Sequence, residues 1–321
     1  MTDLKDIKPT ATATQAGAKR YNDFGMWLRS RFPFKVQKIA VDAGFTCPNR
    51  DGTLSSGGCT FCDNTTFNPK YCSPRKSITE QLEEGKDFFA RKYPEMKFLA
   101  YFQAYSNTYG TPETLMRRYE EALSVDGVEG IVIGTRPDCA GDDVLDCLKQ
   151  LSRRTFVIVE YGIESTNDAT LRRINRGHDF SCARRAIEAT AMRGITVGAH
   201  VILGLPGENA DDSLRQAAEV SSLPINILKI HQLQVIKGTR LALEYTTAPF
   251  PLYTPEEYVR LLTAYIQRLR PDIILDRFTA QAPANMILAP HWGLKNHEFA
   301  DMLDKHMRLT GAYQGQLYNG E

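Results

Sequence analysis

Cys47, Cys59 and Cys62 lie in one run, Ala43-Gly44-Phe45-Thr46-Cys47-Pro48-Asn49-Arg50-Asp51-Gly52, continuing to Gly57-Gly58-Cys59-Thr60-Phe61-Cys62. Three thiolates suit a 4Fe-4S cluster in which the protein holds three irons and the fourth takes another ligand. Cys72, ten residues beyond Cys62, offers a second solution, a four-thiolate zinc tetrahedron. Two CxxC knuckles would favour zinc, and the run has one, Cys59 to Cys62, so spacing alone leaves both solutions open. Gly57 and Gly58 let the backbone turn closely beside Cys59, and Gly52 helps the preceding bend, although a plain surface loop uses the same residues. Asn49, Arg50 and Asp51 are expected to brace this loop or to reach its sulfurs.

The rest of the chain must position that loop. At 321 residues, 42% hydrophobic and 24% charged, it is long enough for one large core, and an α/β barrel of this size is a single domain. Seven cysteines, three in the loop and four scattered, form no disulfide framework, and the first residues lack a charged-then-apolar leader, so the expectation is a reducing cytoplasm. No apolar run approaches the roughly 20 residues that cross a bilayer, which argues against a membrane partner. With a formal net charge of +1, nucleic-acid binding would need a local patch. Residues 1–38 carry eight Lys or Arg against three Asp, with Arg20, Arg29, Arg31, Lys35 and Lys38 interleaved with Tyr21, Trp27, Phe32 and Phe34. That mixture suits phosphates and stacked bases, and equally an amphipathic helix whose aromatics enter the core.

Residues 1–25 open on a Thr, Ala, Lys and Asp-rich stretch without apolar periodicity and read as a mobile tail. Short apolar runs at Val36 to Val41, Phe98 to Phe102, Gly130 to Gly134, Phe156 to Tyr161, Ile195 to Leu203 and Ile227 to Val235 read as buried strands. Helical patterns at Ile78 to Lys92, Pro112 to Leu123, Asp143 to Leu151, Ser181 to Arg193 and Asp211 to Ser222 separate them. Six βα units are too few for a closed eight-stranded barrel and fit an α/β partial (β/α)6 TIM-like barrel, with its chemistry at the strand C-terminal ends. The cysteine loop follows the first strand. The core is expected over residues 26–240, with a helix at Glu256 to Leu269 inside a C-terminal extension over residues 241–321.

Five further motifs stand in order behind the loop: Gly134-Thr135-Arg136-Pro137-Asp138, Glu160-Tyr161-Gly162-Ile163-Glu164-Ser165, Arg176-Gly177-His178, Gly204-Leu205-Pro206-Gly207-Glu208 and Lys237-Gly238-Thr239. On these residues the chain resembles the radical S-adenosylmethionine (radical SAM) superfamily, and within it the YhcC/YtqA-type family, whose core is similar to the radical SAM subunit of Elongator. The superfamily's commonest spacing is CxxxCxxC; here eleven residues separate Cys47 from Cys59, a lengthened gap typical of that group.

The resemblance implies a 4Fe-4S cluster on Cys47, Cys59 and Cys62. It also implies S-adenosylmethionine chelated to the open iron and cleaved by one electron to methionine and a 5′-deoxyadenosyl radical. An electron donor such as flavodoxin or ferredoxin is implied as a partner, and transfer RNA, at a wobble uridine, as a substrate. Toward S-adenosylmethionine the resemblance points to Gln103 and Ser106 after the second strand, Glu160, Glu164 and Ser165 around the end of the fourth, the turn at Gly204, and Lys229 on the sixth. His231, two residues on, shares the face of Lys229. Arg136, Asp138, Arg176 and His178 are expected at the barrel mouth as contacts for substrate or cofactor, with an Arg-Asp brace as the plainer alternative. Cys72, Cys139, Cys147 and Cys182 suit small buried positions, and Cys139 stands out for its place beside Asp138. The competing reading, a zinc-stabilised nucleic-acid-binding protein, rests on Cys72 joining the loop.

Overall fold

The computed structural model describes residues 19–66, 68–90 and 95–320. Strands β1 (Val36–Val41), β2 (Lys97–Phe102), β3 (Val128–Thr135), β4 (Phe156–Glu164), β5 (Thr196–Leu203) and β6 (Ile227–Gln232) pair side by side in chain order, all parallel. β7 (Val235–Ile236) leaves this sheet, β8 (Ile274–Leu275) rejoins it beside β6 as a seventh parallel strand, and β9 (Ile287–Ala289) pairs antiparallel with β7 outside it. The helices are α1 (Phe24–Arg31), α2 (Ile78–Ala90), α3 (Pro112–Leu123), α4 (Asp142–Ser152), α5 (Asp168–Arg173), α6 (Phe180–Met192), α7 (Ala210–Ser221), α8 (Arg240–Thr247), α9 (Pro255–Arg268) and α10 (Asn296–Thr310). Side-chain caps set several of their starts, among them Asp179 for α6 and capping boxes at Asn209 for α7 and Thr254 for α9.

Side-chain alternation along the strands builds two cores. Phe98, Ala100 and Phe102 of β2, Ile131 and Ile133 of β3, and Val157, Val159 and Tyr161 of β4 join the large core beneath the helices. The alternate residues Leu99, Tyr101, Val132, Ile158 and Ile227 face the other way and enclose Phe24 and Leu28 of α1. Burying each of those two side chains contributes about 2 kcal/mol. Helix α1 therefore plugs the end of the sheet where the strands begin.

Two contacts show how far the sheet curls. Tyr101 on β2 and Lys229 on β6 are four strands apart, about 19 Å on a flat sheet, yet Lys229 Nζ donates to Tyr101 Oη at 3.0 Å. Lys38 on β1 meets Asp276, just past β8, at 2.6 Å. The expected partial TIM-like barrel is present, with a seventh strand that two residues of sequence do not announce. The run Ile227 to Val235 is divided between β6 and β7, because an apolar run does not reveal a change of pairing partner.

The N-terminal expectation changes in part. Residues 1–18 lie outside the described residues, as do Arg91 and Lys92 at the end of the expected helix from Ile78 to Lys92. Residues 19–25 are packed and not a tail: Tyr21 and Phe24 are buried, the Tyr21 ring stands edge-on to Phe278 at 5.0 Å, and Asn22 O accepts from Leu275 N at 2.7 Å. Trp27 and Phe32 both pack on Phe156 at the start of β4. The aromatics of the basic segment serve the core, at the opposite end of the strands from the cysteine loop.

Candidate metal centre

The loop leaves β1 at its C-terminal end and is closed by its own backbone: Cys47 O accepts from Arg50 N at 2.8 Å, Asn49 O from Gly58 N at 2.6 Å and Cys59 O from Cys62 N at 3.1 Å. Gly58 adopts φ +69°, and a Cβ there would stand 2.9 Å from Arg50 Nε, so the Arg50 guanidinium lies where any side chain at 58 would be. That guanidinium donates to Cys62 O, and Asp51 accepts from Thr53 N at 3.0 Å. Arg50 and Asp51 are thus internal braces.

Asn49 does more. It is fully buried, its Nδ2 donates to Asn175 O at 2.6 Å and lies 3.6 Å from Cys59 Sγ, while its Oδ1 has no partner. Arg176 Nη1 donates to the same sulfur at 3.5 Å, and Asn64 Nδ2 donates to Cys62 Sγ at 3.5 Å. Burial and the neighbouring Cys59 push the Cys62 thiol up to about 12, and burial raises Cys47 against the pull of Arg136. Thiols so placed ionise when a metal replaces their protons.

Cys72 takes no part. Its Sγ donates to Ala40 O at 3.0 Å, and burial, with Asp42 beside it, pushes it up to about 12. Among the described residues no three His, Cys, Asp or Glu side chains converge on one metal ion. A zinc tetrahedron needs its sulfurs about 2.3 Å from a common centre, whereas cluster thiolates bind separate irons and stand further apart. The four-cysteine zinc arrangement is not formed.

Around the loop, the expected mouth residues do assemble. Arg136 grips Asp138 through two nitrogens, at 2.9 and 2.6 Å, which is the bracing alternative, yet its Nη1 is buried without a partner. Arg176 also donates to Gly162 O and lies 3.5 Å from Glu164 Oε1, and its Nε is unpartnered. His178 Nδ1 lies 3.1 Å from Asp179 O; burial and the Arg176 charge lower the ring to about 4, so it is neutral at pH 7 with a buried, unpartnered Nε2. Gly177, at φ +82°, leaves room that a Cβ would take within 3.1 Å of Asn49 Oδ1 and 3.3 Å of Arg136 Nη2. These orphaned donors and acceptors, gathered beside three thiols, fit a cluster whose sulfides accept hydrogen bonds and an amino-acid ligand that both donates and accepts.

The remaining expected residues divide. Gln103 is half-buried and makes no side-chain hydrogen bond among the described residues. Ser106 is spent on Thr135 Oγ1 at 3.1 Å and Arg136 N at 3.3 Å, pinning the Arg136 turn. Ser165 donates to Glu208, whose carboxyl burial raises and whose Oε2 is unpartnered. Gly204, at φ +86°, accommodates the Tyr253 ring, which a Cβ would approach to 3.0 Å. Glu160 and Lys229 find each other at 2.6 Å, with Tyr101 Oη donating to Glu160 at 2.9 Å, so both are engaged inside the barrel and not at the loop.

Glu164 and His200 were not expected together. A register shift between Gly162 and Glu164 and a φ of +68° at Glu164 turn its carboxylate inward, with Oε2 3.3 Å from His200 Nδ1. His200 Nε2 in turn lies 2.9 Å from His231 Nδ1, and His231 Nε2 is buried and unpartnered. The signal for His200 was its place on the interior face of β5, two residues from Gly198.

The family profile for the radical SAM superfamily matches residues 47–218. The chain belongs to the radical SAM superfamily. A profile for the Radical_SAM C-terminal domain matches residues 225–308, which takes in β6 as well as the C-terminal helices. Among relatives, the YtqA protein of Bacillus subtilis is 36% identical over 300 residues, covering 94% of this chain and 93% of that protein. A tRNA uridine(34) acetyltransferase of Methanocaldococcus infernus is 26% identical over 186 residues, 56% of this chain and 33% of that protein. In structure, the Methanocaldococcus infernus Elp3 with an N-terminal deletion superposes with a TM-score of 0.67 at 17% identity, covering 88% of this chain and 64% of that one. That likeness shows the shared radical SAM barrel. Membership of this superfamily supports an enzyme and implies a 4Fe-4S cluster and S-adenosylmethionine as its cofactors. No helix among the described residues is long and apolar enough to cross a membrane.

Proposed function

We propose that Cys47, Cys59 and Cys62 hold a 4Fe-4S cluster whose fourth iron takes S-adenosylmethionine, and that the protein is a radical enzyme acting on a polar substrate at the barrel mouth. One observation carries this reading: three thiols in one glycine-shaped loop at the strand C-termini, with Arg176 and Asn49 donating to Cys59 and unpartnered donors around them. When bound, the cluster and S-adenosylmethionine supply a 5′-deoxyadenosyl radical that abstracts hydrogen. The chain's own residues then orient and shield. Arg136 Nη1 and Arg176 Nε offer buried donors to a carboxylate, Asn49 Oδ1 and His178 Nε2 offer acceptors, and Gln103 after β2 and Glu164 at the end of β4, with β3 between them, stand at strand C-terminal ends for the amino-acid and ribose groups.

The reductant is of the flavodoxin or ferredoxin class, and the compartment a reducing cytoplasm. For the substrate we favour transfer RNA at a wobble uridine, supported by the partial match to the archaeal tRNA uridine(34) acetyltransferase. Since α1 spends its aromatics on the core at the other end of the barrel, RNA would approach by the loops after β2 to β6. Comparison of modified nucleosides in cells with and without the gene tests this: loss of one wobble-uridine product supports it, and identical profiles across growth conditions contradict it. The cofactor reading is tested by anaerobic reconstitution of the wild type and of Cys59→Ser, with about four irons per chain expected in the first and loss in the second.

A further inference from the structure

Arg176 is built to face one sulfur. It is 7% exposed, its Nη1 lies 3.5 Å from Cys59 Sγ, and its other terminal nitrogen is tied to Gly162 O. Gly162 makes the tie possible, since a Cβ there would stand 2.7 Å from Arg176 Nη2 and 2.5 Å from Glu164 Oε1. Glu164 stops 3.5 Å short on the far side, its backbone left-handed at φ +68° and its Oε2 buried without a hydrogen-bond partner. A guanidinium serving only to brace β4 would close on that carboxylate with both nitrogens, as Arg136 closes on Asp138. Here the fork is divided, one prong on the strand and one on the sulfur.

We infer that Arg176 sets the reduction potential of the cluster proposed above, with Asn49 as a second, neutral donor to Cys59 and Glu164 as the opposing charge. This rests on the cluster reading. Reduction adds one electron, taken from the external reductant, to a group already negative. A buried cation and a hydrogen bond at a ligand sulfur stabilise the reduced form and raise the potential, and a nearby carboxylate lowers it. The position makes Arg176 a positioning residue, acting on the reacting centre through Cys59.

The test is a redox titration of reconstituted protein without S-adenosylmethionine, followed by the electron paramagnetic resonance signal of the reduced cluster, with iron per chain measured on each sample. Arg176→Gln is expected to shift the midpoint to more negative potential, Arg176→Lys to fall between it and the wild type, Asn49→Ala to shift the same way by less, and Glu164→Gln to shift it the opposite way. Arg173→Gln, which removes a surface guanidinium paired with Glu244, is expected to match the wild type. Should Arg176→Gln fail to load, Glu164→Gln and Asn49→Ala decide, since both keep the guanidinium. A loaded wild type whose Arg176→Gln and Glu164→Gln variants titrate with it overturns this inference alone. A wild type that binds no iron overturns the cluster reading beneath it.

Discussion

Lys38 Nζ on β1 and Asp276 Oδ2 just beyond β8, the two edge strands of the large sheet, meet at 2.6 Å and tie the two edges of the open barrel. Lys229 Nζ stands 3.7 Å from the same carboxylate and 2.6 Å from Glu160, so two cations and two anions share the barrel interior. Burial alone would raise Asp276, but the Lys38 and Lys229 ammonium groups hold its carboxyl well below the usual range. Removing one member of such a set costs more than the pair contributes, because the partner stays buried and uncompensated. Asp276→Asn, which deprives two lysines, is expected to lower the unfolding free energy by about 3–5 kcal/mol, and Lys38→Met by less, because Lys229 still faces Asp276. Urea unfolding of the two variants checks the order.

The His200 and His231 rings predict an acid limb of stability well above the carboxylate range. Burial lowers both, with His200 adding to the lowering of His231. Their folded pKa lies below the ordinary 6.5 or so, so the unfolded chain binds protons first as pH falls. Stability is fully present above about pH 6.5 and declines below it, at up to about 1.4 kcal/mol per pH unit for each ring. Urea midpoints at pH 7.5, 6.5 and 5.5 should fall together with pH, and a His231→Phe variant should show a shallower decline. Equal midpoints from 7.5 to 5.5 in the wild type would contradict the buried neutral pair.

Gly162→Ala is expected to damage the site more than the fold. The new methyl would lie 2.5 Å from Glu164 Oε1 and 2.7 Å from Arg176 Nη2, both on side-chain ends that can move aside. Displacing them frees Arg176 from Cys59. The measured outcome should be a cluster midpoint shifted in the same direction as in Arg176→Gln, with iron per chain and a circular dichroism spectrum like those of the wild type.

Cys72→Ala should leave iron content unchanged and lower stability by about 1 kcal/mol, the net value of a weak buried hydrogen bond and a small side chain. Its thiol binds Ala40 O, away from the loop. Loss of iron with this variant would restore a four-cysteine site.

Much of this was readable because the relevant signals are local. The six apolar runs marked β1 to β6, since buried parallel strands are continuous in hydrophobicity, and the cysteine loop declared its donors by residue type. What was not readable depends on distance along the chain. β8 has two residues and acquires its identity from β6 beside it. Asn64, Asn175 and His200 look like ordinary polar residues until the fold sets them against Cys62, Asn49 and His231. Glu160 and Lys229 are pointed toward S-adenosylmethionine by the resemblance, but nothing in the sequence says that the curl of the sheet gives them to each other. The basic-aromatic segment left two readings open, and the amphipathic helix whose aromatics enter the core is the one formed, its rings claimed by Phe156 and the floor of the barrel.

The central claim is that the three loop cysteines hold a cluster that cleaves S-adenosylmethionine. Its most direct test is anaerobic reconstitution followed by metal analysis and, after addition of dithionite and S-adenosylmethionine, quantification of 5′-deoxyadenosine. The account predicts about four iron and four sulfide per chain, product that requires the reductant, and loss of both iron and product in Cys47→Ala, Cys59→Ala and Cys62→Ala. A wild-type chain carrying its full cluster and forming no 5′-deoxyadenosine, or one that binds a single tightly held zinc in place of iron, would contradict it.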